Sequence, residues 1–365
     1  MGMDVRDKAS NVYAYMKRDH SGRWGLDLNV WDWAPGVGVA AIADYGAKSK
    51  RHDVLEFLVD WEKKNREKSE SAKTINAIAP FAIYADLHRL TEDPYYADVS
   101  VRIAEWLLRE APRTRERAFE HTVTEDAAFP EQVWADTVFM AVLFLARTAK
   151  LTGNETYAAE AIDQTLLHLR LLQDEDTSVL FHGWNCIAGH HMSAARWTRA
   201  NAWIAVGVPE IAAEIRGLTA VPAELSERYA RMMEGLVRCQ NDDGLWSTVL
   251  DRPDFYRETS GSAGIACGIM RGIREQLLDA AMQTAADCAL HAVLGLIAED
   301  GEVLGVSSGT PVLASVEAYV RVPCHPTQYG QGLTLMLLSS CLESKTEGAM
   351  QKKRAAEIKN AARNE

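Results

Sequence analysis

Six short strings hold most of the residues that could do chemistry: WDWAPGVG from Trp31, KTINAIAP from Lys73, EQVWADTVFM from Glu131, HGW from His182, RWTRANAW from Arg196 and YRETSGSAG from Tyr256. Indole rings stack on the apolar faces of pyranose rings, and Arg, His, Asn and Asp hydrogen-bond hydroxyls and carboxylates, so this is the composition of a sugar site. A single Trp is more often buried for stability than offered to a ligand. Recurrence of tryptophan in string after string favours the sugar reading. Asp136 is a carboxylate among them that could do general acid and base work. Its plain alternative is a helix-start aspartate with no chemical role. The ten histidines form no HExxH or comparable set, and His190 and His191 read as loop residues, so neither metal nor cofactor is expected.

The elements that must position these strings read as helices. Alternation of period two is hard to find, whereas apolar residues at helical spacing recur, as in Val138, Val142, Leu145 and Ala146. Two segments starting at Leu90 and Leu151 share a polar turn, an aromatic and an amphipathic helix, which is the mark of a repeated helix pair. Loops with Asp and Gly after Leu171, Cys239 and Ile297 return the chain each time. Inner helices are predicted to start near Trp33, Asn76, Trp134, Asn201, Ser260 and Gly330. The expected fold is therefore all-α, an (α/α)6 barrel of six hairpins over residues 1–345 as one catalytic domain, with a charged tail at 346–365. The amino ends of the inner helices should meet around a central cavity.

Bulk properties narrow the partners. A formal net charge of -12 argues against nucleic acid, because phosphate binding needs a basic surface. It does not exclude a small anion held by local donors. No apolar run is long enough to cross a bilayer, and the first twenty residues are charged throughout, so a cytoplasmic protein without membrane contact is expected. The six cysteines are scattered and are expected to be buried free thiols. Oligomeric state is left open.

Four strings, VWADTVFM, RWTRANAW, DGLWSTVLD and ETSGSAG, occur in an order that resembles the unsaturated rhamnogalacturonyl hydrolases, relatives of the unsaturated glucuronyl hydrolases. The resemblance runs from about Trp31 to Gly332 and implies the same (α/α)6 barrel. By it, Asp136 matches the catalytic acid and base, and His182, Trp197, Arg199, Trp203, Trp33 and Gly36 match substrate-site positions. Trp134 beside the aspartate, His121 upstream of it, and Thr259 and Ser260 in ETSGSAG are further candidates for substrate contact. Asn76 stands where relatives carry a second aspartate. An amide cannot take a proton as a base, so Asn76 is expected to bind or orient, with a helix cap as its alternative.

The substrate so implied is an oligosaccharide left by a lyase, ending in a uronic acid with a C4=C5 double bond conjugated to the ring oxygen. Asp136 would protonate C4, water would add at C5, and the hemiketal would open to release the sugar. Burial beside Trp134 is expected to raise the Asp136 pKa, and Arg199 is expected to pair with the uronate carboxylate. A conventional glycosidase or sugar epimerase on the same toroid, and an inert sugar-binding relative, remain alternatives. The sequence does not reveal which sugar follows the uronate.

Overall fold

A computed structural model describes residues 4–71 and 73–342; the charged tail expected at 346–365 lies outside the described residues. Helices run in an alternating order of outer and inner members. The outer ones are α1 (Val5–Met16), α3 (His52–Asn65), α6 (Pro94–Arg109), α8 (Glu155–Leu172), α10 (Ala223–Arg238) and α12 (Gln283–Gly295). Each buries one stripe and leaves the other face wet, as in α10, where Leu225, Tyr229, Met232 and Leu236 recur at helical spacing.

The inner members are buried on nearly every side. They are α2 (Trp33–Ser49), a run made of α4 (Ile75–Ile78), a 3-10 turn and α5 (Tyr84–Thr91), then α7 (Leu143–Thr152) continued from a π turn at Val138–Val142, α9 (Thr198–Glu214), α11 (Thr259–Arg274) and a helix at 328–342. Neighbouring members touch in sequence order: α2 packs on Ala79–Ile83, that segment on α7, α7 on α9 and α9 on α11. The ring closes because the helix at 328–342 lies against both ends of the series. Gly264 of α11 faces Leu333, and Gly332 faces the backbone of Val37 in α2. The fold is thus an (α/α)6 toroid, with every inner helix starting at the same end.

Small residues set the spacing. A Cβ on Gly268 would sit 2.4 Å from the Ala205 carbonyl oxygen, so α9 and α11 approach backbone to backbone. The two similar segments occupy equivalent turns. Glu92 and Gly153 both adopt left-handed backbone at the end of an inner helix, and Asp93 and Asn154 then cap α6 and α8 through their side chains.

The inner starts fall where the periodicity puts them, with one local difference. Trp134 belongs to a strand, β1 (Gln132–Trp134), paired antiparallel with β2 (Gly183–Asn185), and the helical backbone begins after it. A three-residue ladder gives no period-two signal to read. The cysteines also differ in part: Cys186, Cys267 and Cys341 are buried free thiols, but Cys288 and Cys324 are exposed. No helix among the described residues is long and apolar enough to cross a membrane.

Candidate active site

At the end where the inner helices start, a cavity of about 240 Å³ opens to the surface. Its walls come from successive starts: Trp33 on α2, Asn76 on α4, Trp134 and Asp136 after β1, Met140 in the π turn and Trp197 ahead of α9. His121 and Val123 lie beside β1, with Glu125, Ala127 and Phe129 following, and Trp24 and the loop Gly309–Thr310–Pro311 complete the mouth.

Asp136 is held where the small sheet hands over to the π turn. The Trp134–Gly183 register, with Ala135 donating to the His182 carbonyl, sets the aspartate beside the His182 ring. The Trp203 indole donates to Oδ1 at 3.1 Å, whereas Oδ2 has no hydrogen bond and lies 3.6 Å from His182 Nε2. Only 13% of the side chain is exposed. His182 Nδ1 meets the Tyr319 hydroxyl at 2.7 Å, and His121 Nδ1 meets Thr137 Oγ1 at 2.9 Å while its ring stacks on Trp134 at 4.3 Å.

Electrostatics here reverse the expectation for Asp136. Burial does push its pKa up, but His182, His121 and Arg199 together push harder the other way, and the carboxyl lies below its ordinary value. Burial also drives both imidazoles down, His121 to about 4, so in the resting protein Asp136 is an anion beside two neutral rings.

Arg199 is a second correction. It is fully buried and absent from the cavity wall: Nη1 donates to the Ser307 carbonyl at 3.0 Å and reaches Glu258 at 3.4 Å, while Nη2 donates to the Ser308 carbonyl at 2.7 Å. Both terminal nitrogens are thus engaged by protein groups, and the side chain does not line the cavity. Its guanidinium instead lies between the Trp197 ring at 4.3 Å and the Tyr329 ring at 4.6 Å. Tyr329 stacks in turn on Trp33 at 4.7 Å, and Trp197 meets His182 at a tilt at 4.3 Å, so one continuous run of rings carries two cavity walls.

Thr259 and Ser260 are likewise buried away from the cavity. The Ser260 hydroxyl donates to Glu258, and the Thr259 amide donates to Gly305. Asn76 lines the cavity from inside the helix, and Thr74 is the residue that caps it, so the cap alternative for Asn76 does not hold. Trp33, Asn76, His121, Trp134, Asp136 and Trp197 are therefore brought together around one space. His182 and Trp203 sit behind Asp136 as its supports.

Sequence reasoning missed Trp24, Glu125, Phe129 and the loop 309–311, which come from segments without helical pattern, and it missed Glu258, whose partners are distant in the chain. Among the described residues no group of three or more His, Cys, Asp and Glu is placed to hold a metal ion.

A helical toroid with a carboxylate deep in an aromatic-lined cavity is an architecture suited to carbohydrate chemistry. Residues 9–345 match glycosyl hydrolase family 88, and the chain belongs to that family. It is 34% identical over 321 residues to the unsaturated rhamnogalacturonyl hydrolase YesR of Bacillus subtilis, across 86% of this chain and 90% of that protein. A crystal structure described as a possible member of the GH105 family, from Salmonella enterica serovar Paratyphi A, superposes with a TM-score of 0.88 at 28% identity, covering 93% of this chain and 94% of that one. The unsaturated glucuronyl hydrolase of Bacillus sp. GL1 shares the fold, with a TM-score of 0.71 at 20% identity over 92% of this chain and 94% of that chain.

Proposed function

We propose that this glycoside hydrolase removes a terminal 4,5-unsaturated uronic acid from lyase-generated oligosaccharides of the rhamnogalacturonan type, as in pectin breakdown, with Asp136 as acid and then base. One observation carries the reading: the carboxylate lining the cavity has one oxygen fixed by Trp203 and the other free of hydrogen bonds. The second carboxylate that ordinary glycosidases need is replaced at its expected place by Asn76, and the other acidic lining residue, Glu125, is exposed at the mouth.

A single carboxyl suffices for hydration. It gives its proton to C4, the positive charge forms at C5 and spreads onto the ring oxygen, and the same group, now ionised, takes a proton from the water that adds there. The resulting hemiketal opens and frees the sugar. Asp136 is an anion at rest, so its proton must be acquired with substrate. The incoming uronate supplies the reason, because a like charge entering a cavity whose lining includes no Lys or Arg raises the pKa of the carboxyl already there. His182 and Trp203 then hold the group in place as its charge changes. His121, Asn76, Trp33, Trp134 and Trp197 act as contacts for the sugar. Free thiols throughout support a cytoplasmic setting.

The test is turnover of unsaturated disaccharides, followed by loss of the double-bond absorbance, for wild type and Asp136→Asn. We expect wild-type turnover confined to 4,5-unsaturated substrates and a loss in the variant of about 10²-fold or more. Equal turnover of saturated analogues, followed by the reducing sugar released, or near wild-type rates in Asp136→Asn, would overturn the proposal.

A further inference from the structure

Trp24 is half exposed, at 50%, in a protein whose other cavity tryptophans are buried. Its orientation is nevertheless built. The ring meets Trp33 edge to face at 6.4 Å and His325 at 5.9 Å, and Gly309 packs against it so closely that a Cβ at 309 would lie 2.3 Å from Cη2. An indole fixed on three sides and left open on another presents a flat apolar surface at the mouth.

The cavity behind it is smaller than the roughly 300–1,000 Å³ of pockets that enclose a drug-sized ligand. At about 240 Å³ it has room for the terminal uronate and little more, which puts the next sugar at the mouth. The charge there is negative: Glu125 lines the opening, and Asp32 beside Trp33 is pushed up to about 6 by burial and by Glu125.

We propose that Trp24 is the platform on which the sugar following the unsaturated uronate stacks, and that Glu125 restricts that sugar to an uncharged one. The proposal rests on the hydrolase reading above and adds to it the subsite for the departing sugar. Gly309 is the positioning residue of this platform, since any side chain there would displace the indole. A neutral sugar offers an apolar ring face to Trp24 at no electrostatic cost, whereas a sulfated or second uronic residue would bring its charge toward a carboxylate without a basic partner in the wall.

The experiment compares kcat and KM of wild type, Trp24→Ala, Gly309→Ala and Glu125→Gln on three compounds. These are an unsaturated disaccharide with a neutral second sugar, its counterpart with a sulfated second sugar, and the methyl glycoside of the unsaturated uronate. For the neutral disaccharide, Trp24→Ala and Gly309→Ala should raise KM about tenfold with kcat retained, and the methyl glycoside should respond less than about twofold. Glu125→Gln should improve kcat/KM only for the sulfated compound. Equal effects of Trp24→Ala on disaccharide and methyl glycoside, or no effect on either, would overturn the platform; no gain with the sulfated compound would overturn the charge filter. Should wild type turn over none of the three, the hydrolase reading is what fails, and calorimetric binding of the neutral disaccharide decides the platform: weaker binding by Trp24→Ala supports it, and equal binding overturns it.

Discussion

The toroid has a cavity at each end, and the larger one is not the better candidate for catalysis. The space at the far end, where the inner helices finish, measures about 390 Å³ against about 240 Å³ at the sugar end. Its walls are ionic. Asp44 and Lys48 of α2, Arg147 of α7, Glu210 of α9 and Arg271 of α11 pair with one another, with Arg147 to Glu210 and Arg271 to Asp44 both at 2.8 Å and Lys48 to Asp44 at 2.9 Å. The sugar end has two carboxylates and a wall of aromatic rings. Charges matched by their neighbours hold helices together; a carboxylate supported by uncharged neighbours is left available for chemistry.

The sharpest way to break this contrast is to neutralise one acid at each end. Asp136→Asn should lose about 10²-fold or more in kcat with little change in stability, whereas Glu210→Gln should keep kcat and lose about 1–3 kcal/mol, because two buried arginines then share a weaker acceptor. Steady-state kinetics and denaturant unfolding on the two variants decide it. A kcat defect in Glu210→Gln would mean the ends are coupled.

Arg199 tests whether the sugar end contains a structural ion of the far-end kind. Arg199→Met leaves Glu258 buried without its cation, and stability should fall by about 3–5 kcal/mol. A variant with unchanged unfolding free energy and a large rise in KM would restore Arg199 to substrate contact.

Smaller again is the response to acid. His121 and the buried His168 of α8 are both pushed down to about 4, so they stay neutral in the folded protein while the unfolded chain takes up protons near 6.5. Each therefore costs about 3 kcal/mol of stability as pH falls from 6.5 to 4, and nothing further below that. Unfolding free energies measured across this window should decline for wild type and decline less for His168→Gln. A flat wild-type profile would show that the two imidazoles protonate without unfolding.

What the sequence reveals follows the range of the interactions involved. Repeat periodicity is local, so the six inner starts and the turns at Asp93 and Asn154 could be read directly. Asp136, Trp33, Asn76 and Trp197 then fall at the cavity because they sit at those starts. Arg199 could not be read the same way. Its partners Glu258 and Ser307 come from later hairpins, and a string such as RWTRANAW does not say whether an arginine awaits a ligand or a buried glutamate. The direction of the Asp136 pKa was hidden for the same reason, since His182 reaches it only through the pairing of β1 with β2. Trp24 and the loop 309–311 lie in irregular chain, where nothing marks a residue as facing a cavity.

The common direction of the inner helices also sets the field inside the ring. Each helix carries a macrodipole equivalent to roughly half a positive charge at its amino end and half a negative charge at its carboxyl end. Because these helices start together, the amino ends of four of them line the sugar cavity and the carboxyl ends of five line the far one. Peptide groups alone thus make the cavity attractive to a uronate without any basic side chain in its wall. At the other end the same alignment favours the lysines and arginines found there, and the backbone gives the barrel an electrical polarity that its net charge of -12 conceals.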